Sequence, residues 1–136
     1  PGWGRMAFMI IGTLLVVVGC LVNLAGRRNL GGNWANHIKI YEDHCLVTSG
    51  MYKLVRHPLY ASIIMMFYGA SVAYVNVLAL AAVTLIFVPF MIYRARQEEA
   101  LLREQFPDYR QYQLRTGMFF PKFGKRRINH ERIPPG

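Results

Sequence analysis

The chain is 136 residues long, 54% hydrophobic, with a mean hydropathy of +0.22 and a formal net charge of +9. That length allows one domain, and so apolar a composition argues against a water-soluble one. The excess of positive charge needs no nucleic acid to explain it, because contact with anionic lipid headgroups accounts for it.

Taken in order, residues 1–5 are a polar lead-in in which Trp3 and Arg5 suit an interfacial anchor. Met6 to Gly26 is a run of 21 residues without a charge. A helix needs about 20 apolar residues to cross a bilayer, so this run is one span. It is longer than the apolar part of a signal peptide and has no clear small-x-small cleavage site. Gly12, Gly19 and Gly26 recur every seven residues, which places them near one face where another helix can approach closely. The chain opens on Pro1 rather than Met, as expected of a piece whose upstream helices are absent.

Arg27 and Arg28 end the span. Leu30 to Trp34 reads as a turn followed by an interfacial aromatic, His37 to Tyr41 as a short strand or extended edge, and Thr48 to Gly50 as a second turn. Pro58 then opens an uncharged run of 36 residues that ends at Tyr93. Proline suits the first turn of a helix and drives His57 out of the helical region. A polar break at Tyr74, Val75 and Asn76 leaves about 18 residues on each side, enough for two spans joined as a hairpin. Pro89 should kink the second of them.

From Arg94 to Phe106 the pattern continues as an amphipathic helix leaving the membrane, with Leu101, Leu102 and Phe106 facing inward. Pro107 and Asp108 break it. A short helix over 109–114 follows, bringing Tyr109 and Tyr112 onto one side, and Met118 to Pro121 reads as a membrane-dipping end. Residues 122–136 are a basic tail, separate from a core over 1–121.

Of the 16 Lys and Arg residues, five lie in 27–57 and ten in 94–132, leaving only Arg5 elsewhere. With three spans those two segments share one side, which the positive-inside rule makes cytoplasmic. The expected fold is therefore all-α: a multi-pass integral membrane protein with three visible transmembrane helices, a cytoplasmic loop and C-terminal helices. Cys20 falls in a span and Cys45 in the loop, so no disulfide joins them. His37, His44, Cys45 and His57 fit no metal-ligand spacing, and no metal is expected.

The chemistry-bearing residues concentrate just ahead of Pro58. Arg56, His57, Pro58 and Tyr60 by themselves read more simply as interface anchors and a helix start. The hairpin changes that reading, because it returns Glu98 and Glu99 to the same surface as Arg56 and His57. Those clusters together can hold a ligand carrying both positive and negative groups.

Two ordered sets of residues then carry a resemblance. The first is His44, Leu46, Val47, Gly50, Tyr52, Arg56, His57, Pro58 and Tyr60. The second, after the hairpin, is Glu98, Glu99, Leu102, Phe106, Tyr109 and Tyr112. Over about residues 10 to 121 the chain resembles the isoprenylcysteine carboxyl methyltransferase family and the related phospholipid methyltransferases. Met51, where relatives often have proline, is a departure from the pattern. The resemblance implies an S-adenosyl-L-methionine-dependent membrane methyltransferase whose cofactor pocket is built from loop and helix ends. It implies that His44, Leu46, Val47, Gly50, Tyr52, His57, Pro58, Tyr60, Glu98 and Glu99 bind the cofactor, with Arg56 beside its carboxylate. The acceptor would be lipophilic, most simply the carboxylate of a prenylcysteine-like substrate, oriented by Arg103 or Arg110. Arg56, Glu98, Arg103 and Arg110 are then the candidate catalytic groups. Alternatives are a phospholipid amine or small thiol as acceptor, or an NADPH-dependent membrane sterol reductase relative, which shares the Arg-His-Pro-x-Tyr signature. Partners would be the prenylated or lipophilic substrate and membrane lipids. Oligomeric state is left open.

Overall fold

The structure is a computed structural model that describes residues 2–31 and 46–122. Among these residues it is helical, with no strand and one isolated parallel bridge between Val55 and Gly117. Four helices organise it: α1 over Gly2–Leu30, α2 over Pro58–Ala73, α3 over Val77–Gln105 and α4 over Tyr109–Arg115. The extended edge expected at His37 to Tyr41, the aromatic at Trp34, and residues 123–136 of the basic tail lie outside the described residues.

α1 and α3 are each 29 residues, long and apolar enough to cross a membrane, and α2 is an apolar helix of 16 residues. Two helices thus meet the length of a span where the sequence pattern leads one to expect three. At about 1.5 Å per residue, α2 covers only about 24 Å of an apolar layer near 30 Å thick. α1 also continues beyond its apolar run, through Arg27 and Arg28, to end at Leu30, where Gly31 takes a left-handed φ of 53°.

α1 and α2 pack antiparallel along the glycine face. Gly12 lies against Gly69 and Ala73, Gly19 against Ser62 and Met66, and Gly26 against Pro58 and Leu59. A Cβ on Gly12 would sit 2.3 Å from Ala73 N and 2.4 Å from Gly69 O, so this crossing is closed to larger residues. Asn23 Nδ2 donates to Ser62 Oγ at 2.8 Å, and Ser62 Oγ donates to Leu59 O at 2.6 Å, leaving the fully buried serine satisfied.

The hairpin turns at the expected break. Asn76 caps α3 by accepting from Ala79 N at 2.9 Å, and Val75 adopts a φ of 51°. Pro89 is absorbed by a π-helical stretch over Val83–Phe87 immediately upstream, which widens the turn that the proline ring would otherwise strike. Contacts between Phe67 and Phe87 and between Tyr68 and Thr84 tie α2 to this stretch.

Beyond Tyr93 the inward face of α3 differs from the expected one. Met91, Ala95 and Glu99, spaced four apart, are buried, whereas Leu101 is exposed. The inward residue at the end of the row is an acid, which hydropathy reading assigns to solvent. Met118 is likewise used differently: after α4 the chain turns back, and Gly117 O and Met118 O accept from the backbone N–H groups of Arg56 and His57 at 2.9 and 3.0 Å.

Candidate active site

The site forms where the loop ahead of α2, the end of α3 and the segment after α4 meet. Pro58 opens α2, and His57 (φ −124°, ψ 64°) stands outside the helical well as its cap. α3 ends with Glu98 and Glu99 on adjacent faces of its last charged turns, past the apolar run.

Glu99 is the hub. Its Oε1 accepts from Arg56 Nε at 2.7 Å and from His57 Nε2 at 3.1 Å, and its Oε2 accepts from Gln113 Nε2 at 2.7 Å. Burial acts to raise its pKa. The hydrogen bonds from His57 and Arg56, with the Arg56 charge, outweigh that and hold it at about 2. Arg56 also donates through Nη1 to the carbonyls of Gln113, at 3.1 Å, and Thr116, which are orphan acceptors at the end of α4. The guanidinium is therefore a clasp between loop, α3 and the C-terminal segment, and its Nε and Nη1 are committed to protein acceptors.

Tyr109 is buried behind this network, and burial raises its phenol well above the ordinary range. Tyr112 packs against it edge-on and donates to Tyr52 O at 2.6 Å. Its own phenol is pushed up to about 12 by burial, so it stays a neutral donor.

Glu98 does something else. Its side chain is 37% exposed; Oε2 accepts from Tyr60 Oη at 3.0 Å and lies 3.7 Å from His57 Nδ1. Oε1 has no hydrogen-bond partner among the described residues. The Tyr60 ring stacks parallel on His57 at 5.4 Å, and Phe119 meets the imidazole edge-on. One residue that motif reading passed over also belongs here. Arg94, one helical turn before Glu98, acts on the Tyr60 hydroxyl by its charge and by a side-chain hydrogen bond, and its Nε is buried without a hydrogen-bond partner among the described residues. The signal in the sequence was its i, i+4 spacing to Glu98.

The cofactor loop is partly described. Leu46 and Val47 are half-buried, and Gly50 opens a tight 3-10 turn with a φ of 57°. That φ favours glycine, and Asn29 from the end of α1 fills the space a Cβ would need. Tyr52 is buried on the same turn. His44 and Cys45 lie outside the described residues. Arg103 and Arg110 do not join the Arg56 network. They are exposed and line an open cleft of about 390 Å³ with Gln113 and Leu114. The described residues contain no group of His, Cys, Asp and Glu placed to hold a metal ion.

Among the described residues, two apolar helices of membrane-crossing length thus carry a polar site at one mouth of the hairpin. The profile of the isoprenylcysteine carboxyl methyltransferase (ICMT) family matches residues 10–104, and the chain belongs to that family. Among curated relatives, a probable protein-S-isoprenylcysteine O-methyltransferase of Oryza sativa subsp. indica is 33% identical over 105 residues, 75% of this chain and 55% of the relative. The cobalt-zinc-cadmium resistance protein CzcN of Cupriavidus metallidurans is 33% identical over 116 residues, 83% of this chain and 47% of that protein. Among solved structures, the eukaryotic intramembrane Ras methyltransferase ICMT superimposes with a TM-score of 0.78 at 28% identity, covering 84% of this chain and 42% of that one. The chain spans about half the length of the curated relatives it matches.

Proposed function

We propose that the chain is the site-bearing part of an S-adenosyl-L-methionine-dependent methyltransferase that esterifies the carboxylate of a lipophilic, prenylcysteine-like acceptor at the cytoplasmic membrane surface. The observation that carries this reading is Arg94. A buried guanidinium N–H without an acceptor is costly, and a carboxylate is the acceptor that a guanidinium best accommodates. Arg94 stands at the membrane edge of the site, where an acceptor with an apolar tail arrives from the bilayer. Arg103 and Arg110, on their separate cleft, are less well placed for that task.

The residues present fit the cofactor. Glu98, with one oxygen unpartnered, suits ribose hydroxyls or an ammonium group. The Gly50 turn allows close backbone approach, and the N–H groups opening α2 suit a carboxylate. When bound, the cofactor supplies an activated methyl group on a sulfonium. The chain then has to orient the acceptor carboxylate, exclude water and keep both reactants in line. Arg56 and Glu99 act by fixing the walls of the site.

α2 completes a third membrane crossing together with the turn residues Tyr74 to Asn76. The basic segments 27–57 and 94–132 lie on the cytoplasmic side. Transfer of labelled methyl from S-adenosyl-L-methionine to a prenylated cysteine tests the activity. Arg94→Ala should raise the acceptor KM by about 10- to 100-fold, the weight of one charged hydrogen bond, with Arg94→Lys intermediate. An unchanged acceptor KM in Arg94→Ala sinks the assignment. Binding of NADPH without S-adenosyl-L-methionine sinks the methyltransferase reading.

A further inference from the structure

Two arginines take no part in the Arg56–Glu99 network or at the Arg94 rim. Arg103, in the last turn of α3, and Arg110, in the first turn of α4, line the open cleft of about 390 Å³ that Gln113 and Leu114 complete. Neither guanidinium has a hydrogen bond or ion pair among the described residues, and Glu104 and Asp108, the acids nearest in sequence, pair with neither. No carboxylate lines the cleft. A third cation stands at its edge, where Lys122 Nζ donates to the carbonyls of Gln113 at 3.2 Å and Leu114 at 3.3 Å. A cleft lined by one sign of charge concentrates its field on the space between the groups, and an anion is what that field collects.

The surroundings point to the source of the anion. Gly117 and Met118 are bonded through their carbonyls to the backbone of Arg56 and His57, immediately ahead of the apolar run that opens at Pro58. The segment after α4 is thereby held at the level where α2 enters the apolar layer. Leu114, in the cleft wall, and Phe120, past the turn, are 76% and 80% exposed. Bare apolar side chains beside unpaired cations suit an anionic bilayer surface, the apolar groups below the phosphates and the cations level with them. Arg103 stands about 15 Å along α3 from the end of the apolar run at Tyr93, so the cleft overhangs the headgroups rather than the hydrocarbon. A soluble anion would use the cations and give Leu114 and Phe120 no role.

We infer that this cleft binds the phosphate headgroup of an anionic phospholipid. Arg103 and Arg110 offer planar donors to the phosphate oxygens, Lys122 adds its charge at the edge, and Leu114 and Phe120 rest on the upper ends of the acyl chains. Gln113 lines the cleft and donates to Glu99, so a lipid seated there holds α4 against the wall of the site. The assignment does not depend on which acceptor is methylated.

The test is native mass spectrometry of the full chain in detergent, titrated with phosphatidylglycerol or with phosphatidylcholine of the same chain length. A basic residue near an anionic surface is worth roughly 5-fold in binding, so Arg103→Gln with Arg110→Gln should weaken the first phosphatidylglycerol about 30-fold and leave phosphatidylcholine unchanged. Arg28→Gln with Arg96→Gln removes the same charge from two exposed arginines elsewhere and should change the affinity less than about 2-fold. Arg103→Lys with Arg110→Lys keeps the charge and should stay within about 5-fold of wild type. Equal binding of the two lipids by wild type, or equal losses in the two glutamine pairs, would overturn the inference. So would a lysine pair as weak as the Arg103 and Arg110 glutamine pair. Displacement of phosphatidylglycerol by millimolar inorganic phosphate would assign the cleft to a soluble anion and overturn the lipid.

Discussion

Replacing Glu99 with alanine removes one acid from three donors at once: Arg56 Nε, His57 Nε2 and Gln113 Nε2. Breaking a buried ion pair from one side costs about 3–5 kcal/mol, because the remaining charge stays desolvated. Arg56 keeps its bonds to the Gln113 and Thr116 carbonyls and its side chain is 10% exposed, so the low end applies, about 3 kcal/mol. Glu99→Gln retains an acceptor oxygen of the same reach and should lose about 1–2 kcal/mol. The assay is unfolding by dodecyl sulfate from mixed micelles, followed by circular dichroism, on Glu99→Ala, Arg56→Ala and the double variant. Residues in one network do not add, and the cycle should return a coupling of about 2 kcal/mol. A coupling below about 0.5 kcal/mol would place the pair with solvent-screened surface bridges and refute the clasp.

The glycine face gives a graded test: Gly12→Ala forces a Cβ onto backbone atoms of Gly69 and Ala73 and should cost about 1–3 kcal/mol in the same assay. Gly26→Ala meets the end of the Leu59 side chain at 3.0 Å and Pro58 Cγ at 3.6 Å, no backbone atom, and should cost less than about 1 kcal/mol. The pH dependence has a definite sign. The Glu99 pKa falls from an ordinary 4.5 to about 2, so its contribution is full above pH 4.5 and is lost as pH falls from there towards 2. Acid unfolding should show that window in wild type and lack it in Glu99→Gln. Gly50→Ala combines a left-handed φ with a clash against Asn29 and should weaken S-adenosyl-L-methionine binding measured by calorimetry. Adding Asn29→Ala should restore only the part due to space, and full recovery would refute the backbone part of the argument.

The helices were legible because their signals are local. Uncharged runs bounded by Arg27 and Arg94, a polar break at Tyr74 to Asn76 and a start at Pro58 place α1, α2 and α3 without tertiary information. The glycine period of α1 marked a face for close helix approach, and α2 is the helix that packs there. Harder to read was what happens past Tyr93, where Leu101 looked inward and Glu99 outward. An acid is buried only when its donors come to meet it, and these arrive from Arg56, 43 positions upstream, and Gln113, 14 downstream. Hydropathy of one helix contains neither. The backbone pairing of Gly117 and Met118 with Arg56 and His57 was hidden for the same reason: it is made by main-chain groups, which carry no residue signature.

Helix register decides which charges at this mouth remain free for a ligand. Residues four apart share a face, so Met91, Ala95 and Glu99 form one row, and Arg94 and Glu98 form another about 100° away. The first row turns inward and its acid is consumed by Arg56, His57 and Gln113. The second runs along the rim, and there, among the described residues, Arg94 keeps an unpartnered Nε and Glu98 an unpartnered oxygen. Two adjacent glutamates, equivalent as letters, thus divide into one buried among protein donors and one left partly exposed at the rim. The arginines divide likewise: Arg56 has its Nε and Nη1 on protein acceptors, and Arg94 is the cation we propose for the substrate. A shift of α3 by one residue would exchange the glutamates' roles and leave Arg56 unpaired, which is why the Arg56–Glu99 bond, more than any ligand contact, fixes the register on which the site depends.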